Sequence, residues 1–126
     1  MRFDIMTLFP DSIDIMLNES IIGRAQKSGL LEIQTHNIRD YSSDKHRRVD
    51  DTPYGGGMGM VMSAPPICDC HAAVSEMADS KLRTRTVYMS PQGKVLTQKH
   101  AYNLAANYDR LIILCGHYEG IDARVI

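Results

Sequence analysis

The apolar run LIILC at residues 111–115 restricts the fold of this chain more than any other segment. A strand without a polar face is typical of a parallel sheet that is covered on both sides, because such a strand does not meet water. Segments with strand and helix patterns also alternate along the chain, which is the order that builds parallel sheets. We therefore predict an α/β fold with an open parallel sheet and helices on both of its faces.

The other elements are predicted from apolar spacing, prolines and glycines. Four strands are predicted, at residues 2–8, 30–38, 86–90 and 111–115. Four helices are predicted, at 11–18, at 20–28, after Ser63 and at 97–107, with Asp11 and Ser20 as candidate caps and Gly29 as a stop. The core-facing stripe of the third helix is expected to comprise Ile67, Cys70, Val74, Met77 and Ala78. Asp122 is expected to open one more helix.

Composition limits the class of protein. A chain of 126 residues suits one domain, and its formal charge of −1 means that a polyanion has to be met by a local basic patch. No apolar run reaches the roughly 20 residues that span a bilayer, so no membrane segment is expected. Three cysteines without framework spacing, Cys68, Cys70 and Cys115, fit a reducing compartment and favour the cytoplasm.

Two combinations of cysteine and histidine raise the question of a metal or a nucleophile. Cys68, Cys70 and His71 form a CxCH run, but on a helix these positions do not converge on one tetrahedral centre. Cys115 and His117 lie two residues apart and would point to opposite faces of a strand. We therefore expect neither a metal site nor a thiol–imidazole pair.

A glycine-rich stretch, VDDTPYGGGMGM, occupies residues 49–60 and places four glycines within five positions. It is not a dinucleotide-binding fingerprint, because Met62 stands where the third glycine would be, and the chain has no phosphate loop of the type GxxxxGK followed by Ser or Thr. Glycines in this number allow the backbone to approach a ligand closely. From the residues alone, a flexible loop and a close-approach binding loop both remain open.

The segment that leads into this stretch, RDYSSDKHRRVDD at residues 39–51, mixes cations with carboxylates. Its cations are dense enough to contact phosphates: Arg39, Lys45, His46, Arg47 and Arg48. Its carboxylates are Asp40, Asp44, Asp50 and Asp51. Two alternatives follow: a solvated surface loop of mixed charge, or a site that holds a phosphate backbone and orients a base.

Two short loops follow strands at the carboxyl ends, where parallel sheets bind ligands. SPQGK, residues 90–94, offers Ser90 and Gly93 to a ligand or forms a plain turn. GHYEG, residues 116–120, brings Glu119 to the same edge. This carboxylate either binds a cation, a metal or a proton, or faces water at the start of a helix.

Together, five motifs resemble a known family. They are TLFP at 7–10, GRAxxxGLL at 23–31, HRRVDDTPYGGGMGM at 46–60, YMSPQGK at 88–94 and CGHYEGIDARVI at 115–126. In this order and without large gaps, they are similar to the bacterial tRNA (guanine-N1)-methyltransferases of the trefoil-knot superfamily, often called SPOUT. The resemblance implies transfer of a methyl group from S-adenosylmethionine to N1 of the guanine just 3′ of the anticodon, at position 37.

The resemblance also implies which residues bind the ligands. The cofactor-binding positions are Tyr88, Met89, Ser90, Pro91, Gly93, Gly116, Tyr118, Glu119 and Gly120. The tRNA-binding positions are Lys45, His46, Arg47, Arg48, Asp50, Tyr54, Gly55, Gly56, Gly57 and Gly59. Glu119 is expected to support catalysis by placing the cofactor or magnesium, and Asp50 is a candidate orienting acid. A homodimer with the active site at its subunit interface is implied, with tRNA as the other partner.

The resemblance covers the amino-terminal part of the family's knotted cofactor domain, to which we assign residues 1–126. The third cofactor loop, the strand and helix that complete the knot, the general-base aspartate and a carboxy-terminal RNA-binding domain are expected beyond them. Two hypotheses remain open: residues 1–126 belong to an active methyltransferase, or they form a nucleotide- or RNA-binding fragment without catalysis. A third, a nucleotide-binding α/β domain of another enzyme, lacks its phosphate-loop fingerprint.

Overall fold

The structure is a computed structural model that describes residues 1–51, 61–116, 121 and 123–125. Its strands are β1 (Arg2–Thr7), β2 (Glu32–Asn37), β3 (Asp50–Asp51), β4 (Val61–Met62), β5 (Thr84–Met89) and β6 (Arg110–Cys115). Its α-helices are α1 (Pro10–Leu17), α2 (Ser20–Lys27), α3 (Ala64–Ser75) and α4 (Gln98–Asn107), and 3₁₀ helices span Ile38–Tyr41 and Ala123–Val125. None of the helices described here has the length and apolarity needed to span a membrane.

Four strands form one parallel sheet in the order β2-β1-β6-β5. Strand β6 therefore lies between β1 and β5, with Ile112 opposite Asp4 on one side and opposite Thr86 on the other. Its central place explains its composition, because both faces of a central strand are covered, and Leu111, Ile112 and Leu114 are buried. The predicted open parallel sheet is confirmed.

Helices lie on both faces of this sheet, as predicted. On one face, α3 packs on the sheet through a core cluster that comprises Met6, Leu8, Ile38, Val49, Met62, Ile67, Cys70, Val74, Ile112 and Leu114. On the opposite face, Thr35 Oγ1 of β2 donates a hydrogen bond of 2.9 Å to Asp14 Oδ1 of α1. Thr35 lies opposite Ile5, which points away from Met6 because neighbouring residues of a strand alternate between faces. This second face is less tightly filled, since no residue of α1 is buried.

Two predicted helix caps are wrong, and one predicted stop is confirmed. Asp11 does not cap α1: Phe9 precedes the helix and Pro10 is its first residue, because the fixed φ of proline suits that position. Ser20 is the first residue of α2 rather than the residue before it. Gly29 follows the end of α2 as predicted, with the left-handed φ of +81° that favours glycine.

The core-facing stripe of α3 is shorter than predicted. Its buried members are Ile67, Cys70 and Val74. The helix ends at Ser75, so Met77 and Ala78 lie beyond it, and Met77 is 47% exposed. Arg110 accounts for this end, because its guanidinium donates hydrogen bonds to the carbonyls of Val74 and Ser75.

A buried ionic network around Asp4 of β1 joins three strands of the parallel sheet. Asp4 and Arg110 are 0% and 2% exposed, and Arg110 Nε donates to Asp4 Oδ2 over 2.7 Å. Asp4 also accepts a hydrogen bond of 2.9 Å from Arg2 Nε and lies 2.8 Å from His36 Nε2. We call these four residues the Asp4 network. Because β1, β2 and β6 contribute to it, this network ties together three of the four strands of the parallel sheet.

Candidate functional site

The two loops predicted to bind the cofactor meet at one edge of the sheet. β5 and β6 are parallel neighbours, with Met89 opposite Cys115, so both chains leave the sheet on the same side. The Tyr88 ring lies against Gly116, since a Cβ added to this glycine would be 3.3 Å from Tyr88 Cε1. We call this region, residues 88–93 and Gly116, the carboxyl edge. The structure thus brings together the first predicted loop and the start of the second.

The first loop, SPQGK, is a tight turn held by its own groups. The Gly93 amide donates to the Ser90 carbonyl over 3.2 Å, and the Gln92 amide donates to Ser90 Oγ over 3.1 Å. A hydroxyl that accepts a hydrogen bond still has its proton to donate, so Ser90 can also contact a ligand. The side chain of Met89 is 54% exposed just before the turn, and Pro91 is exposed within it.

The second loop begins at exposed Gly116 and then leaves the described part of the chain. The residues concerned are His117, Tyr118, Glu119 and Gly120. The cofactor contacts of the last three, and the support of catalysis by Glu119, therefore stay predictions. Burial raises the pKa of the Cys115 thiol, which keeps the thiol protonated near neutral pH. Burial thus disfavours the thiolate, the form in which a cysteine acts as a nucleophile.

Ile121, just after this loop, pairs with Met62 in a parallel bridge. Met62 belongs to β4, the strand that follows the glycine-rich stretch, and its side chain is completely buried. The residues that follow the second loop and the glycine-rich stretch in the sequence, Ile121 and Met62, therefore meet at this bridge. The next predicted feature, the helix start at Asp122, lies outside the described residues, and residues 123–125 form a 3₁₀ helix.

The glycine-rich stretch is anchored at both ends. β3 and β4 pair antiparallel on either side of it, with Asp50 opposite Met62. Next to this pair, the Ser63 amide donates to the Val49 carbonyl over 2.8 Å, and Val49 is part of the core. The predicted tRNA-binding residues between the two strands lie outside the described residues: Tyr54, Gly55, Gly56, Gly57 and Gly59. Their contacts stay predictions. The structure places Asp50 in β3, near the start of the stretch.

Four of the five predicted phosphate-binding cations lie on a largely exposed turn, residues 42–48, which we call the basic turn. The fifth, Arg39, is half-buried on the 3₁₀ helix that precedes this turn. The carboxylate of Asp44 accepts hydrogen bonds from the backbone amides of His46, at 2.8 Å, and Arg48, at 3.2 Å. These two hydrogen bonds hold the pKa of Asp44 below its ordinary value. The side chains of Lys45, His46 and Arg48 are exposed and have no hydrogen-bond partner among the residues that the structure describes. They are therefore available to an anion.

Arg47 differs from the other cations of the basic turn. Its guanidinium forms an ion pair with Asp40, and its backbone has a left-handed φ of +56°. The expectation of a mixed-charge surface loop therefore fits Arg47 better than its neighbours. The sequence did not reveal that Arg47 is paired while its neighbours are not, because the density of charges does not show which carboxylate pairs with which cation. The sequence did contain a signal for the turn itself. Aspartate often accepts a hydrogen bond from the backbone amide two residues further on, and Asp44 stands two residues before His46.

A cavity of about 320 Å³ between α3 and the sheet was not predicted. It is lined by Met6, Ile67, Cys68, His71, Thr86, Leu114 and Val125. His71 Nε2 lies 2.8 Å from Thr86 Oγ1. Cys68 is exposed, whereas Cys70 is buried in the core, where burial and the nearby Asp40 raise its pKa to about 12. Within the described ranges, no three His, Cys, Asp or Glu side chains form a cluster able to hold a metal.

A wider groove of about 650 Å³ lies at the opposite end of the sheet, which we call the amino edge. Arg2, Glu32 and Asp109 are among its lining residues. Arg2 is paired with Glu32 at 3.2 Å, and Asp109 is paired with Arg83 at 3.0 Å. Because these charges are already neutralised by one another, this groove offers a charged ligand less than the basic turn does.

The whole chain, residues 1–126, matches the family model described as tRNA (Guanine-1)-methyltransferase TrmD. Two similar proteins are named tRNA (guanine-N(1)-)-methyltransferase. That of Ruminiclostridium cellulolyticum is 56% identical over 126 residues, which are 100% of this chain and 53% of the relative. That of Thermomicrobium roseum is 54% identical over 125 residues, which are 99% of this chain and 46% of the relative. The chain thus spans about half the length of these relatives.

The fold is also similar to a solved structure, the crystal structure of tRNA (m1G37) methyltransferase from Aquifex aeolicus. The two folds superpose with a TM-score of 0.83 at 34% sequence identity. The superposition covers 99% of this chain and 55% of that one. Almost the entire fold described above therefore has a counterpart in a protein about twice as long.

Proposed function

Because the chain belongs to the tRNA (guanine-N1)-methyltransferase family, we propose that it forms part of an enzyme that methylates N1 of a guanine in tRNA. The observation that carries this proposal is the family match over residues 1–126, which include the carboxyl edge and the basic turn. We further propose S-adenosylmethionine as the methyl donor. The proposed target is the guanine at position 37, which the name of the Aquifex aeolicus protein gives for that enzyme.

The residues of the carboxyl edge have the aromatic, apolar and hydrogen-bonding groups that a site for S-adenosylmethionine needs. Gly116 leaves room beside the Tyr88 ring, Ser90 has a hydroxyl proton to donate, and Met89 adds exposed apolar surface. An apolar and aromatic surface with a few placed polar groups is typical of cofactor sites. When bound, S-adenosylmethionine supplies an electrophilic methyl group on a sulfonium. The proposed contacts of the described residues are Tyr88, Met89, Ser90, Pro91, Gly93 and Gly116.

Methyl transfer is an in-line displacement in which the N1–carbon bond forms as the carbon–sulfur bond breaks. Positioning supplies much of the rate of such a reaction, so the main task of this chain is to hold the two reactants. Guanine N1 carries a proton that a general base has to remove, and we place this base outside residues 1–126. Asp50 is proposed to orient the guanine, and Glu119 to support the cofactor. No magnesium site is assigned, because the described residues contain no cluster of three suitable ligands.

The basic turn is proposed to bind the tRNA backbone. Its exposed cations, Lys45, His46 and Arg48, are suited to phosphate contacts, and the glycine-rich stretch would let the chain approach the base. The enzyme is proposed to be a cytoplasmic homodimer whose partner subunit completes the site. Exposed apolar side chains near the carboxyl edge are of the kind that such an interface buries: Met89, Val95 and Leu96.

Methyl transfer to a tRNA transcript tests this proposal. The natural polypeptide that contains residues 1–126 is incubated with S-adenosylmethionine labelled in its methyl group, and the label retained in tRNA is measured. Incorporation is expected with guanine at position 37 and not with adenine there. Equal labelling of both transcripts would refute the proposed target, and labelling of neither would refute the proposed activity.

The exposed cations of the basic turn also suit a second candidate function, a nucleotide- or RNA-binding unit without catalysis. Calorimetry with S-adenosylmethionine, on residues 1–126 alone and on the natural polypeptide, separates the two candidates. Binding by the polypeptide but not by residues 1–126 would mean that the two loops described here are insufficient by themselves. Binding by both, without methyl transfer by either, would favour the second candidate.

A further inference from the structure

The basic turn is folded around one carboxylate. Asp44 Oδ2 accepts hydrogen bonds from the His46 amide, at 2.8 Å, and from the Arg48 amide, at 3.2 Å. The Arg47 amide between them donates to the Asp44 carbonyl over 3.0 Å. Ser42 closes the turn by donating its hydroxyl to the Arg48 carbonyl over 2.6 Å. Asp44 therefore accepts hydrogen bonds from three consecutive amides of the turn.

This arrangement is an anion-binding nest that already contains an anion. A nest forms where nearby amides point into one concavity and one residue adopts the left-handed conformation, as Arg47 does with φ of +56°. The carboxylate of Asp44 occupies the place that a phosphate oxygen would take in such a nest. A phosphate from another molecule then has to be met by side chains of the turn rather than by its backbone.

The basic turn is also fixed at both ends. Ile38 and Val49, which precede and follow it, are each 0% exposed. Arg47 is held by its ion pair with Asp40. Three exposed basic side chains therefore project from a backbone that is tied to the core on both sides: Lys45, His46 and Arg48.

We propose that Asp44 is a positioning residue for tRNA binding, because its carboxylate fixes the basic turn so that Lys45, His46 and Arg48 meet phosphates together. This inference rests on the proposed function, in which tRNA supplies the phosphates. Cations on a fixed turn lose less conformational freedom on binding than cations on a mobile one. A carboxylate, which by itself repels phosphate, thus brings a net gain in tRNA affinity.

The test is the tRNA affinity of Asp44→Ala in the natural polypeptide, measured by filter binding at several salt concentrations. If Asp44 acted only through its negative charge, its removal would tighten tRNA binding by about threefold. If Asp44 positions the cations, binding weakens by about five- to tenfold, and its salt dependence becomes shallower because fewer cations engage phosphates. The affinity for S-adenosylmethionine is expected to stay unchanged, because the carboxyl edge is not altered.

Two further variants control this test. Asp69→Ala removes the same charge from an exposed position on α3 and is expected to leave tRNA affinity nearly unchanged. Asp44→Asn keeps one acceptor oxygen for the amides and is expected to recover part of the lost affinity. Hydrogen exchange at the amides of His46 and Arg48 provides the structural readout, and it should accelerate in Asp44→Ala but not in Asp69→Ala.

Equal or tighter tRNA binding by Asp44→Ala, together with faster amide exchange, would overturn the positioning role. Unchanged exchange at both amides would overturn the geometry on which the role depends. If the unsubstituted polypeptide bound no tRNA, the proposed function would fail and this inference with it. The two failures are therefore distinguishable.

Discussion

The two ends of the sheet use charge in opposite ways. At the amino edge, Asp4 and Arg110 are buried and satisfied by each other and by their neighbours in the Asp4 network. Beyond the carboxyl end of β2, the basic turn carries Lys45, His46 and Arg48 exposed to solvent, without a hydrogen-bond partner in the described part of the chain. Buried charges need partners within the fold, whereas exposed cations stay available to a ligand. One set of parallel strands thus has buried, paired charges at one end and exposed cations beyond the other.

The largest effect is expected from breaking the amino edge with Arg110→Met. This change removes a 2.7 Å partner of the buried Asp4 carboxylate and the donor to the last carbonyls of α3. The free energy of unfolding should fall by about 3 kcal/mol, because a buried charge that loses its partner is costly. Urea denaturation of the natural polypeptide measures this loss. A loss under about 0.5 kcal/mol would show that the pair contributes no more than an exposed one.

The corresponding change at the carboxyl edge is Gly116→Val. A Cβ at this position already comes within 3.3 Å of Tyr88 Cε1, and the two further methyl groups of valine would displace the ring or the loop. The affinity for S-adenosylmethionine should fall about tenfold, which corresponds to ~1.4 kcal/mol. Calorimetry measures it, with Ala106→Val on exposed α4 as the control. Unchanged affinity in Gly116→Val would contradict the placement of the cofactor beside Tyr88.

Acid should weaken the amino edge through Asp4. Burial favours its protonation, but hydrogen bonds from Arg2, His36 and Arg110 outweigh this effect, so the pKa of Asp4 lies below its usual 3.8. A lowered pKa in the folded state contributes stability that is present above the unfolded-state pKa and is lost as pH falls through the folded-state value. The free energy of unfolding should therefore decrease below about pH 4, and less steeply in Asp4→Asn than in the unsubstituted protein. Equal steepness in both would show that Asp4 does not titrate differently on folding.

The smallest effect is expected from Arg83→Ala, the exposed counterpart of Arg110→Met. Hydrogen bonds from Arg83 lower the pKa of Asp109 to about 2, but water surrounds the pair and screens it. The midpoint of urea denaturation should stay nearly unchanged. A shift as large as that of Arg110→Met would mean that burial does not distinguish the Arg110–Asp4 pair from the Arg83–Asp109 pair.

Much of the sheet could be predicted because burial is visible in local composition. The apolar run at 111–115 indicates a central strand without any knowledge of its neighbours. The Asp4 network could not be predicted, because Asp4 and Arg110 are 106 residues apart and meet only through the pairing of β1 with β6. The error at Met77 has the same origin, since the end of α3 depends on Arg110.

The edge of the sheet at which the predicted loops lie could be predicted from the sequence, but the ion pairs of the basic turn could not. Parallel strands send their following loops to one edge, so the common edge of SPQGK and GHYEG is predictable. The contact of Tyr88 with Gly116 also requires the pairing of β5 with β6, which the sequence does not show. The sequence does not show that Arg47 is engaged by Asp40 while neighbouring cations are not, because pairing depends on the shape of the turn. The roles assigned to Glu119 and to the glycine-rich stretch lie outside the described residues and stay predictions.

The strand order also affects how the protein forms on the ribosome. β6 is the last of the four sheet strands to be synthesised, yet it lies between β1 and β5. Until residues 110–115 emerge, β5 cannot join the pair formed by β1 and β2, and the inner edge of β1 has no neighbour. Contacts between distant parts of a chain form slowly, because a long loop has to close first. The nascent chain therefore exposes an unpaired strand edge during this interval, and a chaperone that shields strand edges would protect it then.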